Sequence, residues 1–494
     1  MEELRESCGI VGIYSSSRYF NVAHLLYDGL LILQHRGQES AGISVVTGKK
    51  IRSVKGMGGV DEAIRENSLA KLFGSVGIAH TRYSTAGSSS EENIQPYVID
   101  LGDTEFALAF NGNITNQIEL KRSLIRRGHT FTSDADTEVI SHILISYLLE
   151  NELDYIKALE KTMELLQGAY SMVLMNNQGQ LYAMRDPLGF RPESIGELDK
   201  GSYVVASESV VFDILDINYI RDIRPGEILL VENGKTVSYP AFKSSNPSQP
   251  TAHCMFEYVY FSRPDSVVNS ISVHEARMKL GRSLAKLHPV EADVVIPIPD
   301  SGRVAAIGYA QQSGIPLVEG LIRNRSIWRT FILPYPELRE RYVKLKINPV
   351  REAIKDRRVI LVDDSIVRST TSRRIVNIVR KAGAKEVHLR ISCPPIISPC
   401  YMGIDFPSKE ELVAANKSVE EIRKEIGADS LGYQSIDGLV EAIGLDKSRL
   451  CLACLTGCYP DMKAINIKQK KLIVREGTPG EVCVDEGALD RSRC

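Results

Sequence analysis

VILVDDSIVRSTTS, residues 359–372, passes from an unbroken apolar run to an acidic pair and then to a hydroxyl-rich turn. A short apolar run bounded by polar residues fits a strand buried on both faces, as in a parallel sheet. The continuation, SRRIVNIVRKAG, places Ile375, Ile378, Val379 and Ala382 on one helical face and stops at Gly383, a residue suited to ending a helix. A turn between such a strand and helix presents backbone N–H groups at a helix N-terminus, where a phosphate can be held without any cation. Asp363 and Asp364 close the strand; paired carboxylates there can accept hydrogen bonds from two adjacent ribose hydroxyls or face a hard cation. Capping alone would explain an Asp and a Ser before a helix. Acidic pair, turn and buried strand in one stretch favour ligand binding instead.

Working outward, ADVVIPIPDSG, IPLVEGLI, RRVILVDD and EVHLRI repeat the order strand, loop, helix. That order signals βαβ units and an α/β domain on a parallel sheet, assigned to residues 241–460. The polar, proline-bearing segment SYPAFKSSNPSQPTAH, residues 238–253, reads as a linker. Ahead of it the pattern changes. CGIVGIY is strand-like and is followed by Val22, Leu25, Leu26, Leu30 and Leu33 at helical spacing. VGIAH, FALAFNG, YSMVLMNN and QLYAMRD are further strands, the last two joined by the hairpin signal NNQG, and Val139, Ile140, Ile143 and Leu144 mark another helix. Residues 8–240 are therefore expected to form α+β layers, with 1–7 as a removable leader and 461–494 as a loosely patterned tail.

The chain has 494 residues, with 60 basic against 62 acidic side chains and 43% hydrophobic residues. That length calls for more than one core. The charge balance offers no basic face for nucleic acid, and no apolar run is long enough to span a bilayer. MEELRES at the front is not a secretory signal, so a cytoplasmic location is expected. Nine cysteines are too sparse and too odd in number for a disulfide scaffold. Cys451 and Cys454, in CLACLTGC, form a C-x-x-C pair open to zinc, an iron–sulfur cluster, redox pairing or simple burial. Cys8 in a first strand is by default a small buried hydrophobe. Removal of residues 1–7 would change its chemistry, because a free α-amine with a pKa of about 8 can act as base for its own thiol.

VILVDDSIVRSTTS resembles the phosphoribosyl diphosphate (PRPP) motif of the type I phosphoribosyltransferases. The resemblance implies that Asp363 and Asp364 bind the ribose hydroxyls. It also implies that Ser365, Arg368, Ser369, Thr370 and Thr371 form the loop for the 5-phosphate, Ser369 standing where that family usually has glycine. IPIPDSG resembles the loop that takes the diphosphate, so Ser301, Asp363 and Asp364 are the implied Mg2+ residues. CGIVGIY followed in order by LQHRGQESAGI, HTRYST, FNGNIT and DTEV resembles the N-terminal-nucleophile glutaminase domain. Its implied roles are Cys8 as nucleophile, Asn111 and the Gly112 N–H as oxyanion hole, Arg82 for the glutamine α-carboxylate, and Asp136 for the α-ammonium.

The two domains in this order are similar to the glutamine PRPP amidotransferases, as are RDPLGFRP, HCMFEYVYFSRPDS, PCYMGID and IGADSLGY. The implied reaction is transfer of glutamine nitrogen to C1 of PRPP, giving 5-phosphoribosylamine for purine synthesis. SIWRTFI, residues 326–332, matches a loop closing over PRPP, with Trp328 as a candidate plug. One branch of the family carries a 4Fe-4S cluster whose ligands match Cys254, Cys400, Cys451 and Cys454. The family also implies a homotetramer inhibited by purine nucleotides. Rival readings are a glucosamine-6-phosphate synthase, which shares the front half, and a PRPP-sensing protein without turnover.

Overall fold

The computed structural model describes residues 8–83, 90–241, 251–324, 347–404, 406 and 408–460. The expected leader 1–7, the tail 461–494 and the 326–332 segment with Trp328 lie outside the described residues, as do residues 242–250 of the expected linker.

Strand Gly9–Tyr14 lies inside a seven-stranded sheet, antiparallel to Val76–Arg82 on one side and Ser202–Ala206 on the other. A six-stranded antiparallel sheet, with Glu105–Ile114, Gly168–Asn176 and Leu181–Arg185 at its centre, packs against it. The period of two in a strand sorts the side chains. Ile10 enters the core between the sheets with Ala107, Ala109 and Val173, while Val11 and Ile13 face outward against helix Ala23–Ile32. Phe106, Leu108 and Phe110 likewise turn from the inter-sheet alanines into a core under helices Asp136–Glu150 and Tyr155–Leu165. The layers are thus helix, sheet, sheet, helix, as the α+β reading expects. NNQG does close a hairpin between Gly168–Asn176 and Leu181–Arg185.

The second unit is built on a four-stranded parallel sheet in the order Val294–Pro297, Arg358–Asp363, Glu386–Ile391, Ser430–Tyr433. Alternate residues of these strands feed two cores. Val295, Ile360 and Val362 pack with Tyr309 on one face, and Val359 and Leu361 pack with Ile375, Val376 and Val379 on the other. IPLVEGLI is not a strand of this sheet. Only Leu317 bridges to Val295, and Leu321–Arg323 pairs instead with Ile347–Pro349. Pro316 has no N–H to donate, and Gly320 lies so close to Ile296 that a Cβ there would meet its side chain at 2.2 Å. The chain therefore leaves the sheet after one bridge. Among the described residues no helix is long and apolar enough to cross a membrane.

Candidate active site

Cys8 immediately precedes its strand, and the register Gly9 opposite Thr81 sets it beside Arg82 and Tyr83. Its Sγ lies 3.4 Å from the Tyr83 carbonyl and 3.5 Å from the Tyr83 N–H, which donates to it. Burial pushes the Cys8 thiol up, against the opposing pull of Tyr83 and Arg82. A thiol held neutral in this way needs a base within reach before it can attack. Its carbonyl accepts a hydrogen bond from Arg36 Nε at 3.2 Å. Arg82 is buried and donates from its guanidinium to Glu39 at 3.1 Å.

The facing sheet supplies the complementary groups. His80 Nε2, two residues from Arg82, lies 3.1 Å from the Phe110 carbonyl and so ties this sheet to the residue before Asn111. Burial lowers the His80 pKa to about 3, so the imidazole is neutral and Nε2 carries the proton that Phe110 accepts. Asn111 and Gly112 lie inside strand Glu105–Ile114, which excludes the plain hairpin-turn reading of Asn-Gly. Both polar atoms of the Asn111 amide are buried with no hydrogen-bond partner, a state that costs about 1–3 kcal/mol unless a ligand satisfies it. A Cβ at Gly112 would meet the Ala169 carbonyl at 2.2 Å, so only glycine fits. Asp136 opens helix Asp136–Glu150 and accepts the Ile114 N–H at 2.9 Å, which fixes it to the strand that carries Asn111.

In the second unit strand Arg358–Asp363 ends on the acidic pair, and helix Ser369–Lys381 begins six residues after Asp363. Asp364 accepts hydrogen bonds from Ser301 and Ser365, each at 2.5 Å. Ser301 is brought there by Gly302, where a Cβ would meet the Val362 carbonyl at 2.2 Å. Burial, followed by the neighbouring Asp364, raises the Asp363 carboxyl. Two carboxylates with a hydroxyl between loops form an oxygen donor set suited to a hard cation such as Mg2+. Arg368 pairs with Glu411, and the Ser369 hydroxyl donates to Glu425. Thr370 is exposed and Thr371 half-buried.

Cys254, Cys400, Cys451 and Cys454, although up to 200 residues apart in sequence, line one cavity with Phe190, Met402 and Tyr459. Parallel pairing of His253–Cys254 with Leu450–Cys451 sets Cys254 opposite Cys451. Burial pushes the Cys254 thiol up to about 12 and raises Cys451 and Cys454 as well, each further raised by the other cysteines. Four soft donors in an apolar enclosure fit a thiolate-held metal group. Among the described residues no ready-made cluster of three or more ligands for a metal ion is present; the four cysteines share a cavity wall. Cys393 is buried nearby and acts on Cys454.

Sequence reasoning did not find Glu39, His80, Glu208 or Glu257 as partners of this site. Their bonds span up to 221 residues, and the only local signal was that Glu39 sits inside LQHRGQES and His80 inside HTRYST.

Residues 80–213 match a family model described as a glutamine amidotransferase domain. The chain is 50% identical to the amidophosphoribosyltransferase of Methanocaldococcus jannaschii, over 95% of this chain and 100% of that one. It is 45% identical to the Bacillus subtilis amidophosphoribosyltransferase, over 92% of this chain and 94% of that one. A solved B. subtilis glutamine PRPP amidotransferase, complexed with ADP and GMP, superposes with a TM-score of 0.84 at 43% identity, covering 92% of this chain and 97% of that one. Another, described as the allosteric regulatory enzyme of purine biosynthesis, gives 0.85 at 43% identity, covering 92% and 96%. With half of its residues shared along nearly its whole length, the chain belongs to the amidophosphoribosyltransferase family.

Proposed function

We propose that this chain hydrolyses glutamine at Cys8 and passes the ammonia to C1 of PRPP, the first step of purine biosynthesis. The observation that carries the reading is the bare, buried Asn111 amide on the strand His80 ties to the Cys8 sheet. With residues 1–7 removed, the Cys8 α-amine takes the thiol proton, and the thiolate attacks the side-chain amide carbon of glutamine. Asn111 Nδ2 and the Gly112 N–H receive the oxyanion, donors of a kind worth about 3 kcal/mol each. Collapse expels ammonia, the nitrogen taking the proton back, and water cleaves the resulting thioester to release glutamate. Arg82 holds the α-carboxylate and Asp136 the α-ammonium. Ammonia then forms the C1–N bond as the C1–O bond to diphosphate breaks. An unprotonated nitrogen is required, so transfer must avoid bulk water.

Asp363 and Asp364 would orient the ribose hydroxyls, and Ser365, Arg368, Ser369, Thr370 and Thr371 the 5-phosphate. Mg2+ bound by Ser301, Asp363 and Asp364 would supply positive charge to the diphosphate oxygens. A 4Fe-4S cluster held by Cys254, Cys400, Cys451 and Cys454 would supply a structural tie or an oxygen-sensitive control. Purine nucleotides as inhibitors and a homotetrameric assembly complete the reading.

The deciding assay is glutamine-dependent release of diphosphate from PRPP by the full chain. Cys8→Ala should lose glutamine use and keep synthesis from added ammonia at raised pH. Asp363→Asn with Asp364→Asn should lose both. A protein that binds PRPP without releasing diphosphate would be the sensor of the rival reading.

A further inference from the structure

Asn111 and Ser171 lie directly opposite each other where strand Glu105–Ile114 pairs with Gly168–Asn176. Both are fully buried. They share the face of Ala109 and Val173, which look into the core between the two sheets, since side chains alternate along a strand. Neither the Asn111 amide nor the Ser171 hydroxyl has a hydrogen-bond partner. The neighbours on that face offer no other. Ala109, Ala169 and Val173 are apolar, and Asn113 donates to the Tyr401 carbonyl at 3.0 Å. On its other side Ser171 faces Arg185, a donor only, whose guanidinium is engaged by the Arg191, Ile223 and Gly189 carbonyls. Strand Tyr97–Asp100, the other neighbour of Glu105–Ile114, pairs no further than Leu108. Among the described residues of this sheet face, Asn111 Oδ1 is therefore the one side-chain acceptor beside the Ser171 hydroxyl.

An oxyanion hole needs one end of that amide and not the other. Nδ2 donates to the negative oxygen, whereas Oδ1 in its place would repel it. The two ends are so alike in shape that packing cannot choose between them. A donor on Oδ1 can. Facing side chains of an antiparallel pair have Cβ atoms about 4.5–5.5 Å apart, a gap that a hydroxyl and an amide oxygen close by side-chain rotation. We propose that Ser171 is a positioning residue for the glutaminase: its hydroxyl donates to Asn111 Oδ1 as glutamine fills the site, and so aims Nδ2 at the oxyanion. The inference rests on the proposed reaction and adds to it the group that orients its oxyanion hole.

The test measures glutamate release from glutamine by the full-length protein with Mg2+ and PRPP present. Ammonia-dependent diphosphate release checks that each variant is folded. Ser171→Ala should lower kcat by about fivefold to tenfold, the range of one hydrogen bond, and leave KM for glutamine within about twofold. The γ-aldehyde analogue of glutamine gives a second readout. The Cys8 sulfur bonds to its carbonyl carbon, the C=O π bond opens, and the tetrahedral oxygen takes the thiol proton and lies in the hole. Affinity for this analogue should fall by the same factor as kcat. In an Asn111→Ala background, Ser171→Ala should change kcat less than about twofold, an outcome that a packing role would not give. Ser171→Cys keeps the bulk with a weak donor; it should lose about threefold in kcat, and it decides the matter if Ser171→Ala does not fold. Full kcat in the Ser171 variants, or the same loss with and without Asn111, overturns the positioning role alone. Unchanged glutamine hydrolysis in Asn111→Ala overturns the proposed oxyanion hole with it.

Discussion

Asn111 carries a buried amide with no hydrogen-bond partner in the protein, a state that a bound substrate or transition state would satisfy. Asn111→Ala should lower kcat for glutamine hydrolysis by about 100-fold to 1,000-fold without lowering thermal stability, because an unsatisfied group is removed. A parallel loss of activity and melting temperature would make Asn111 a packing residue. His80 makes a different prediction. Burial holds its pKa at about 3, below the ordinary 6.5, and His253 is lowered to about 3 in the same way. Between those values the unfolded chain binds a proton that the folded one refuses. Stability is therefore present above pH 6.5 and lost as the pH falls toward 3, by up to about 1.4 kcal/mol per pH unit for each group. His80→Gln keeps a donor for the Phe110 carbonyl and should flatten the fall in denaturation midpoint between pH 6.5 and 5. An unchanged slope contradicts the neutral, buried assignment.

At the scale of elements, the loop 299–302 is set by one missing side chain. Gly302 sits so close to the Val362 carbonyl that a Cβ would meet it at 2.2 Å, and Ser301 reaches Asp364 from there. Gly302→Ala should displace Ser301 and cut ammonia-dependent diphosphate release by about 100-fold, the cost of a misplacement near 1 Å. Full activity in that variant would show that the loop does not position the site. The strand–turn–helix at residues 359–372 was legible because apolar runs, acidic ends and helical spacing are local signals. The strand ends at Asp363 and the helix carries Ile375 and Val379 inward as expected, with Val376 buried in addition. IPLVEGLI misled because an apolar run does not reveal that Pro316 lacks a donor and Gly320 abuts Ile296. Arg36, Glu208 and Glu257 were illegible for a related reason. Charged residues inside apolar patterns give no sign of partners 172 and 221 positions away.

For the molecule as a whole, the two units are fastened by charge as well as by packing. Burial alone would raise the carboxyls of Glu208 and Glu257, yet His35 and Arg36 beside Glu208, and Arg36 beside Glu257, hold both below the usual carboxylate range. Arg191 donates to the Met402 carbonyl at 2.9 Å, and Asn113 donates to the Tyr401 carbonyl at 3.0 Å, so the cysteine-bearing segment also leans on the glutaminase layers. Under the proposed cluster assignment the purified protein should contain iron and acid-labile sulfide, and Cys254→Ser should lose both and melt several degrees lower; full iron content in that variant would remove the assignment. The account depends most on Cys8 being the true chain start, since burial raises its thiol and its own amine is the proposed base. Mass spectrometry of active protein tests this directly. The predicted result is a polypeptide lacking residues 1–7 and beginning at Cys8, and a chain that still begins at Met1 while consuming glutamine at full rate would contradict it.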